Sequence, residues 1–599
     1  MGDDNRNFLV ATGLILAILM VFQVFFFGPQ QAERRAELDA QREAELALQA
    51  EAASDLPPGA TGDLAPVDRL IDRDEALGSV ERITINAPSV TGSISLDGVL
   101  FDDLQLRNHT VAVDSDALIS LLNPVGTSGA FYARDSWLSR TPGFADLPVH
   151  DSRWTLRSGS ELTPETPVVL SYETESGLEI QRTIEINDNY LFTITDRVNN
   201  TTSDEVELQR YGLVRQQGVP EDLEPNMAVF EGAIAVVDGE MHREKYSNLE
   251  DGREMDESGQ GGWVGITTRY WIAAAIPSLD SNFTANFRTI ERNGVPTFDA
   301  TYRERAQILA PGASLTSTSY IFAGAKELDV LHYVEDEVGV VGFDRAYNWG
   351  WLWFLVRPFV WLLHMLEGVT GHFGLAILAL TLLIKLVMFP LANRAYASMA
   401  KMKLVQPKMQ EIRERYAADQ QKQQQALMEL YRKEKINPLA GCLPILPQIP
   451  IFFALYQTLF NALEMRHAPF FGWIQDMSAR DPLMIGNLFG LLPYDPLSIP
   501  ILGFVLGLGA WPIIMGLTMA AQQALNPPPP DPMQAKIFAF LPIVFTFILA
   551  PFAAGLVIYW AWNNFLSVVQ QYIIMRRHGN ETQLDKLIAR LMGKAKEEG

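Results

Sequence analysis

Lys385 stands inside an apolar run, LAILALTLLIKLVMFPL at 375–391, and its type and place suit it to one kind of chemistry: holding an anion without breaking a bond. A cation at membrane depth costs about 3 kcal/mol on the insertion scale. It persists by snorkelling, by finding a partner, or by facing a wet cavity. Leu391 lies six residues on, about 9 Å along a helix, so a lysine stem spans much of that path. Covalent chemistry has weaker credentials. No GxxxxGK[ST] phosphate loop is present, and His109, His150, His242 and His332 sit among scattered carboxylates. A sugar-converting site would need imidazole and carboxylate to converge in space, which spacing does not reveal. No catalytic residues, metal site or cofactor are expected.

The elements around Lys385 are membrane helices. Apolar runs of about 18 or more residues read as spans. FLVATGLILAILMVFQVFFF at 8–27 is followed by no small-x-small cleavage site and reads as an uncleaved anchor. After residue 350 come the Lys385 run, CLPILPQIPIFFALYQTLFNAL at 442–463 and ILGFVLGLGAWPIIMGLTMAAQQAL at 501–525. The stretch 537–575 is too long for one span and is divided at Pro551. Six membrane helices result. The loop 393–436 carries ten basic and five acidic residues, and the tail after Met575 carries six basic residues. Both belong in the cytoplasm by the positive-inside rule, which puts both termini inside and the large region 28–345 outside.

That outer region is acidic. Residues 55–344 hold 48 acidic and 21 basic residues, more than the whole chain's net charge of −24, so DNA is excluded as its partner. The single cysteine, Cys442, rules out an internal disulfide. Residues 31–75 read as a linker. From 76 to 335, segments such as ERITINAP, LEIQRTIEI, YLFTITDRVNN and ASLTSTSYIFAGA are β-branched or aromatic and punctuated by Gly, Asn, Asp and Pro. The fold class expected is therefore a polytopic helical membrane core joined to an all-β sandwich.

Residues 345–368, rich in Trp, read as an amphipathic helix lying on the membrane, with Arg357, His364 and Glu367 on one face. Over 393–436, Ala395, Met399, Met402, Val405, Met409, Ile412 and Tyr416 make a helical stripe, with a kink expected at Pro407. AADQQ makes a turn with Asp419 as a cap, and Leu427, Leu430 and Tyr431 continue a second helix ended by Asn437-Pro438. The expectation is a cytoplasmic helical hairpin with a basic face, suited to anionic lipid or ribosomal RNA.

SMAKMKLVQPKMQEIRERY, KEKINPLAGCLPILPQIPIFFALY, MRHAPFFGWIQDMSARDP, NPPPPDPMQAKI and FAAGLVIYWAWNNFLSVVQQ occur in series. With them the chain resembles the YidC membrane-protein insertases, bacterial members of the group that includes mitochondrial Oxa and chloroplast Alb proteins. The likeness runs over 345–577, and the anchor and outer β-domain resemble the Gram-negative type. The resemblance implies a mutarotase-like β-supersandwich in the periplasm without established sugar chemistry. It also implies five core helices over 369–577 around a hydrophilic groove, and a basic cytoplasmic tail at 578–599. It implies insertion of nascent membrane proteins into the inner membrane, alone or with the Sec translocon. Ribosomes would be received on the hairpin and tail. The groove's positive residue corresponds to Lys385, where many relatives carry Arg; the charge is kept and bidentate geometry is lost. Thr381, one turn earlier, shares its side, and Gln523 and Trp560 carry over as groove residues. Phe452 and Met515 carry over as substrate contacts. The stretch 487–509 departs from the pattern as an insertion, of a re-entrant or interfacial kind.

A polytopic transporter would favour internal repeats and several mid-membrane charges. A ligand sensor would favour a cytoplasmic output domain. The sequence shows one such charge, no repeat and a short tail.

Overall fold

The computed structural model describes residues 70–142, 144, 146–220, 223, 229–292, 295–416, 419–434, 445–499, 502–526, 532–579 and 585. The anchor 1–30, the linker up to residue 69, Asn437-Pro438, Cys442 and most of the tail lie outside them. The chain forms two units, one over most residues up to Ala346 and one from Tyr347 onward.

The first unit is all but helix-free because its segments alternate. Leu178–Ile186 buries every second residue, as a half-buried strand must. Twenty strands make one sheet of eleven and one of nine. In the larger sheet Val206–Gln217 lies between Phe131–Leu138 and Val295–Glu304, antiparallel to both. In the smaller, Leu191–Asn200 lies between Leu178–Ile186 and Ser314–Ala325. The four segments quoted as strands from the sequence all form strands.

A buried ionic cluster joins the two sheets. Arg182 donates to both carboxylate oxygens of Asp196, at 2.8 and 2.7 Å. Asp135 accepts from Arg210 (2.9 Å), Arg182 (3.1 Å), Tyr302 (2.9 Å) and Ser319 (2.8 Å). Two carboxylates and two guanidiniums cancel, so no net charge is buried. Burial pushes Asp196 up, but Arg182 and Arg210 beside it hold its carboxyl below the usual range. Gly212 makes room for this: a Cβ there would come within 2.1 Å of the Tyr302 ring.

The second unit is helical: α1 Trp353–Thr370, α2 Phe373–Arg415, α3 Gln420–Lys433, α4 Ile445–Asn461, α5 Ala510–Leu525, α6 Pro532–Leu549 and α7 Ala554–Arg577. The helix expected over 345–368 starts instead at Trp353. The preceding residues turn at Gly350 (φ 66°), and Arg357 stacks back over Trp349, 4.9 Å from its ring centre. The Lys385 run and the first hairpin helix are one 43-residue helix, continuous through Pro390 and Pro407. Its first turn is capped by His372 Nδ1, which accepts from the amides of Gly374 and Leu375. Asp419 caps α3, accepting from the Lys422 amide at 3.1 Å, and Val405, Met409 and Leu430 form the core between α2 and α3. The segment expected to span from 501 holds a single helical turn, Gly503–Leu506, and its long helix begins only at Ala510. The expected division near Pro551 separates α6 from α7. Among the described residues α2 is the one helix both long and apolar enough, by length and composition, to cross a membrane.

Candidate functional site

α7 brings the site together because it packs on α2, α4 and α5 at once. Its start is pinned from outside the helix: the amides of Ala554 and Gly555 donate to the carbonyls of Ala479 (2.7 Å) and Met477 (2.9 Å). Leu380 of α2, Leu455 and Leu459 of α4, and Leu556, Ile558 and Tyr559 of α7 share one core.

Beside that core α2, α4 and α7 leave an open recess. Apolar residues Ile384, Met388, Ala392, Ile451 and Leu455 line one part; Thr381, Lys385, Tyr396, Gln448, Tyr559, Asn563 and Gln570 line the rest. Seven of the twelve lining residues carry a polar group that can serve water or a polar guest. No Asp or Glu is among the lining residues. Lys385, half-buried, donates from Nζ to Ser567 Oγ at 2.6 Å, and the Ser567 hydroxyl in turn donates to the Asn563 carbonyl at 2.8 Å. The ammonium is therefore held in place by a neutral hydroxyl, and its charge stays available to an incoming carboxylate. Gln570 adds a buried Nε2 that has no partner among the described residues.

The sequence-derived residues divide between two places. Lys385 and Thr381 line the recess, though the Thr381 hydroxyl is spent on the Ile377 carbonyl of its own helix (2.7 Å). Phe452 and Trp560 meet with ring centres 4.7 Å apart and planes tilted by 49°, next in sequence to the lining residues Ile451 and Tyr559. Met515 is fully buried against Leu549, Val557 and Ala561, so α5, α6 and α7 enclose it. Gln523 is half-buried near the end of α5 and is not a lining residue. Ser567 escaped sequence reading. The signal was present: Asn563, Ser567 and Gln570 recur at i, i+4 and i+7 in an otherwise apolar helix, which is one polar face.

In the β-unit one His–carboxylate meeting does occur: His109 Nε2 is 3.2 Å from Glu327 Oε1, which also accepts from Tyr190 at 3.0 Å. Glu327 thus joins His109 and Tyr190, which lie on or beside different strands.

A helical unit with a charged recess accompanies a separate β-sandwich, and family matches divide the chain in the same way. The family model described as 60Kd inner membrane protein matches residues 365–581, and the one described as YidC periplasmic domain matches 82–362. "Membrane protein insertase YidC" of Maricaulis maris is 67% identical over 592 residues, covering 99% of both chains. The protein of the same name from Methylorubrum extorquens is 44% identical over 607 residues, covering 98% of this chain and 97% of that one. A solved YidC insertase with its first transmembrane domain resolved covers 82% of this chain at 18% identity and a TM-score of 0.35. A galactose mutarotase related enzyme from Lactobacillus acidophilus covers 41% at 8% identity and a TM-score of 0.29. The chain belongs to the YidC family of membrane protein insertases.

Proposed function

We propose that this chain inserts nascent membrane proteins into the inner membrane by giving their polar tails a partial water path, with Lys385 as its electrostatic guide. The observation that carries this reading is the pairing of the Lys385 ammonium with a neutral serine in a recess without carboxylates. Moving a polar tail across about 30 Å of hydrocarbon is the obstacle to insertion. A wet recess shortens the dry path, and a fixed ammonium holds acidic tail residues while the apolar segment slides past the Phe452–Trp560 side. Partition then drives release, at about 0.8 kcal/mol per buried methylene. Insertion makes and breaks no covalent bond, so the family's activity is not enzymatic.

The same reading places the hairpin of α2 and α3 and both termini in the cytoplasm, counts six membrane helices with the anchor, and gives the basic hairpin and tail to the ribosome. The Sec translocon is the partner for larger substrates. Gln523 extends the polar path toward the cytoplasmic end of α5, Met515 backs the wall that substrates follow, and the outer sandwich, mutarotase-like in the resemblance, serves folding and docking. A photo-crosslinker at Met388 or Ile384 tests the reading. A stalled nascent membrane protein should be captured there, and capture only at exposed positions of α6 would remove the recess from the pathway.

A further inference from the structure

The stretch that broke the family pattern, 487–509, is the most apolar exposed surface outside the helices. Leu491 is 81% exposed and Phe504 64%, and Leu488, Phe489, Leu502 and Val505 are exposed too. Asp495 is its one charged residue. Leu488 and Phe489 both sit in the left-handed backbone region, at φ 49° and 56°, which bulky residues adopt only when something else requires it. Here the strain aims two large apolar side chains outward.

The backbone is equipped for a place without water. Fifteen of the twenty described non-proline amides between 485 and 508 donate to acceptors inside the loop or its own flanks. Ile485 and Gly486 donate back to Leu508 and Leu506, closing the loop at its base. Pro493 and Pro496 have no amide to satisfy, and the exposed Asp495 carboxylate accepts from the Leu497 amide at 2.9 Å. An irregular segment exposed to water needs no such economy, whereas one in contact with acyl chains does. The loop also continues an apolar surface: Phe504 stacks on Phe547 of α6 at 5.6 Å, beside exposed Ile543 and Val544. Its base is tied to α5 through buried Asp481, which accepts from the Trp473 indole (2.9 Å) and the Trp511 amide (2.6 Å).

We propose that residues 484–509 form a wedge seated among the acyl chains of the outer leaflet, fixing the outer end of α5 in depth; the outer placement rests on the topology proposed above. The occupant of its apolar face is lipid, not a second polypeptide, because the face runs on to α6 through Phe504 and Phe547 and offers a protein partner one charge alone, Asp495.

The test uses the full chain in liposomes, with Cys442→Ser and a single new cysteine carrying a nitrobenzoxadiazole dye at Leu491, at Arg480 as a water-exposed control on the same connection, or at Lys422 on the hairpin. The wedge requires blue-shifted emission at Leu491, quenching by lipids bearing a nitroxide high on the chain, and little quenching by iodide, with the reverse at Arg480. Iodide access at Leu491 equal to that at Arg480 overturns the wedge. So does protection that disappears when the protein is diluted in lipid, since a second copy would then be the cover. Dithionite bleaching of Leu491 and Lys422 from the same side would overturn the topology and the outer placement with it. Bleaching from opposite sides with full iodide access at Leu491 would overturn the wedge alone.

Discussion

Replacing Lys385 by alanine separates an electrostatic guide from a bystander. The change removes the ammonium, leaves the Ser567 hydroxyl with its bond to the Asn563 carbonyl, and opens a few more ångströms of the recess. An ammonium and a carboxylate about 4 Å apart attract by about 1 kcal/mol in bulk water and about 4 kcal/mol at an effective dielectric near 20. Lys385 is half-buried in a recess open on one side, so the lower half of that range applies, about 1–2.5 kcal/mol. Since about 1.4 kcal/mol is tenfold, Lys385→Ala should slow insertion of a substrate with an acidic translocated tail by about 5- to 60-fold. A matched substrate with a neutral tail should change little. Lys385→Arg should retain activity, because charge and reach survive, and Lys385→Glu should be worse than alanine for the acidic tail alone. The assay is reconstituted insertion of two substrates differing only in tail charge, with protein abundance equalised. Equal activity of the alanine protein on both substrates would mean that Lys385 merely snorkels, and the guide would have to be sought elsewhere.

Other outcomes follow from the same structure. Asp135→Asn keeps the volume but leaves two buried guanidiniums facing one carboxylate, and should destabilise the β-unit by about 3–5 kcal/mol in thermal unfolding of the whole protein. Burial, with a smaller push from Arg243, lowers Lys326 to about 7 while its amine donates to the Thr268 carbonyl at 2.6 Å. The unfolded chain keeps that proton up to the ordinary lysine range, so the unfolded state binds more protons above pH 7 and stability rises with pH across that window. Lys326→Met should therefore stabilise more below pH 7 than well above it, and a pH-independent gain would refute the assignment. In the helical unit, a Cβ at Gly516 would lie 2.0 Å from Thr546 Oγ1, so Gly516→Ala should part α5 from α6 and lower the melting temperature in detergent, with Thr546→Ala restoring most of it. Neutralising Lys401, Lys403 and Lys408 together should weaken ribosome co-sedimentation and flatten its salt dependence; unchanged binding would assign the hairpin to another partner.

The strands were legible because β-branched alternation is a local property, and the α6–α7 division because Pro551 is a local breaker. What stayed hidden depends on partners far along the chain. Asp135 and Ser319 meet across 184 positions, and no spacing rule links them. Pro407 lies inside one continuous helix, whose Val405 and Met409 pack against Leu430. Lys385 was conspicuous as a charge in an apolar run, whereas Ser567, a small neutral residue, became significant only when α7 laid it 2.6 Å from that charge. Met515 and Gln523, taken from motif position, lie away from the recess lining, since motif order fixes a residue's helix but not the direction in which it faces.

The ionic cluster that joins the two sheets sets a schedule for the newborn chain. Asp135 lacks the last of its hydrogen-bond donors until Ser319 and its strand exist, and Leu191–Asn200 has only one neighbouring strand until Ser314–Ala325 has been made. At about 5–20 residues per second that interval is about 10–40 s. Throughout it the nascent sandwich is half a fold, with guanidiniums and carboxylates still hydrated and open strand edges on offer. The surplus of 48 acidic over 21 basic residues across 55–344 then has a temporal use: mutual repulsion keeps neighbouring half-made copies apart until the last strand arrives. That strand ends at Ala325, only 28 residues before Trp353 begins the first helix of the second unit, so closure of the sandwich and birth of the membrane unit fall within seconds of each other.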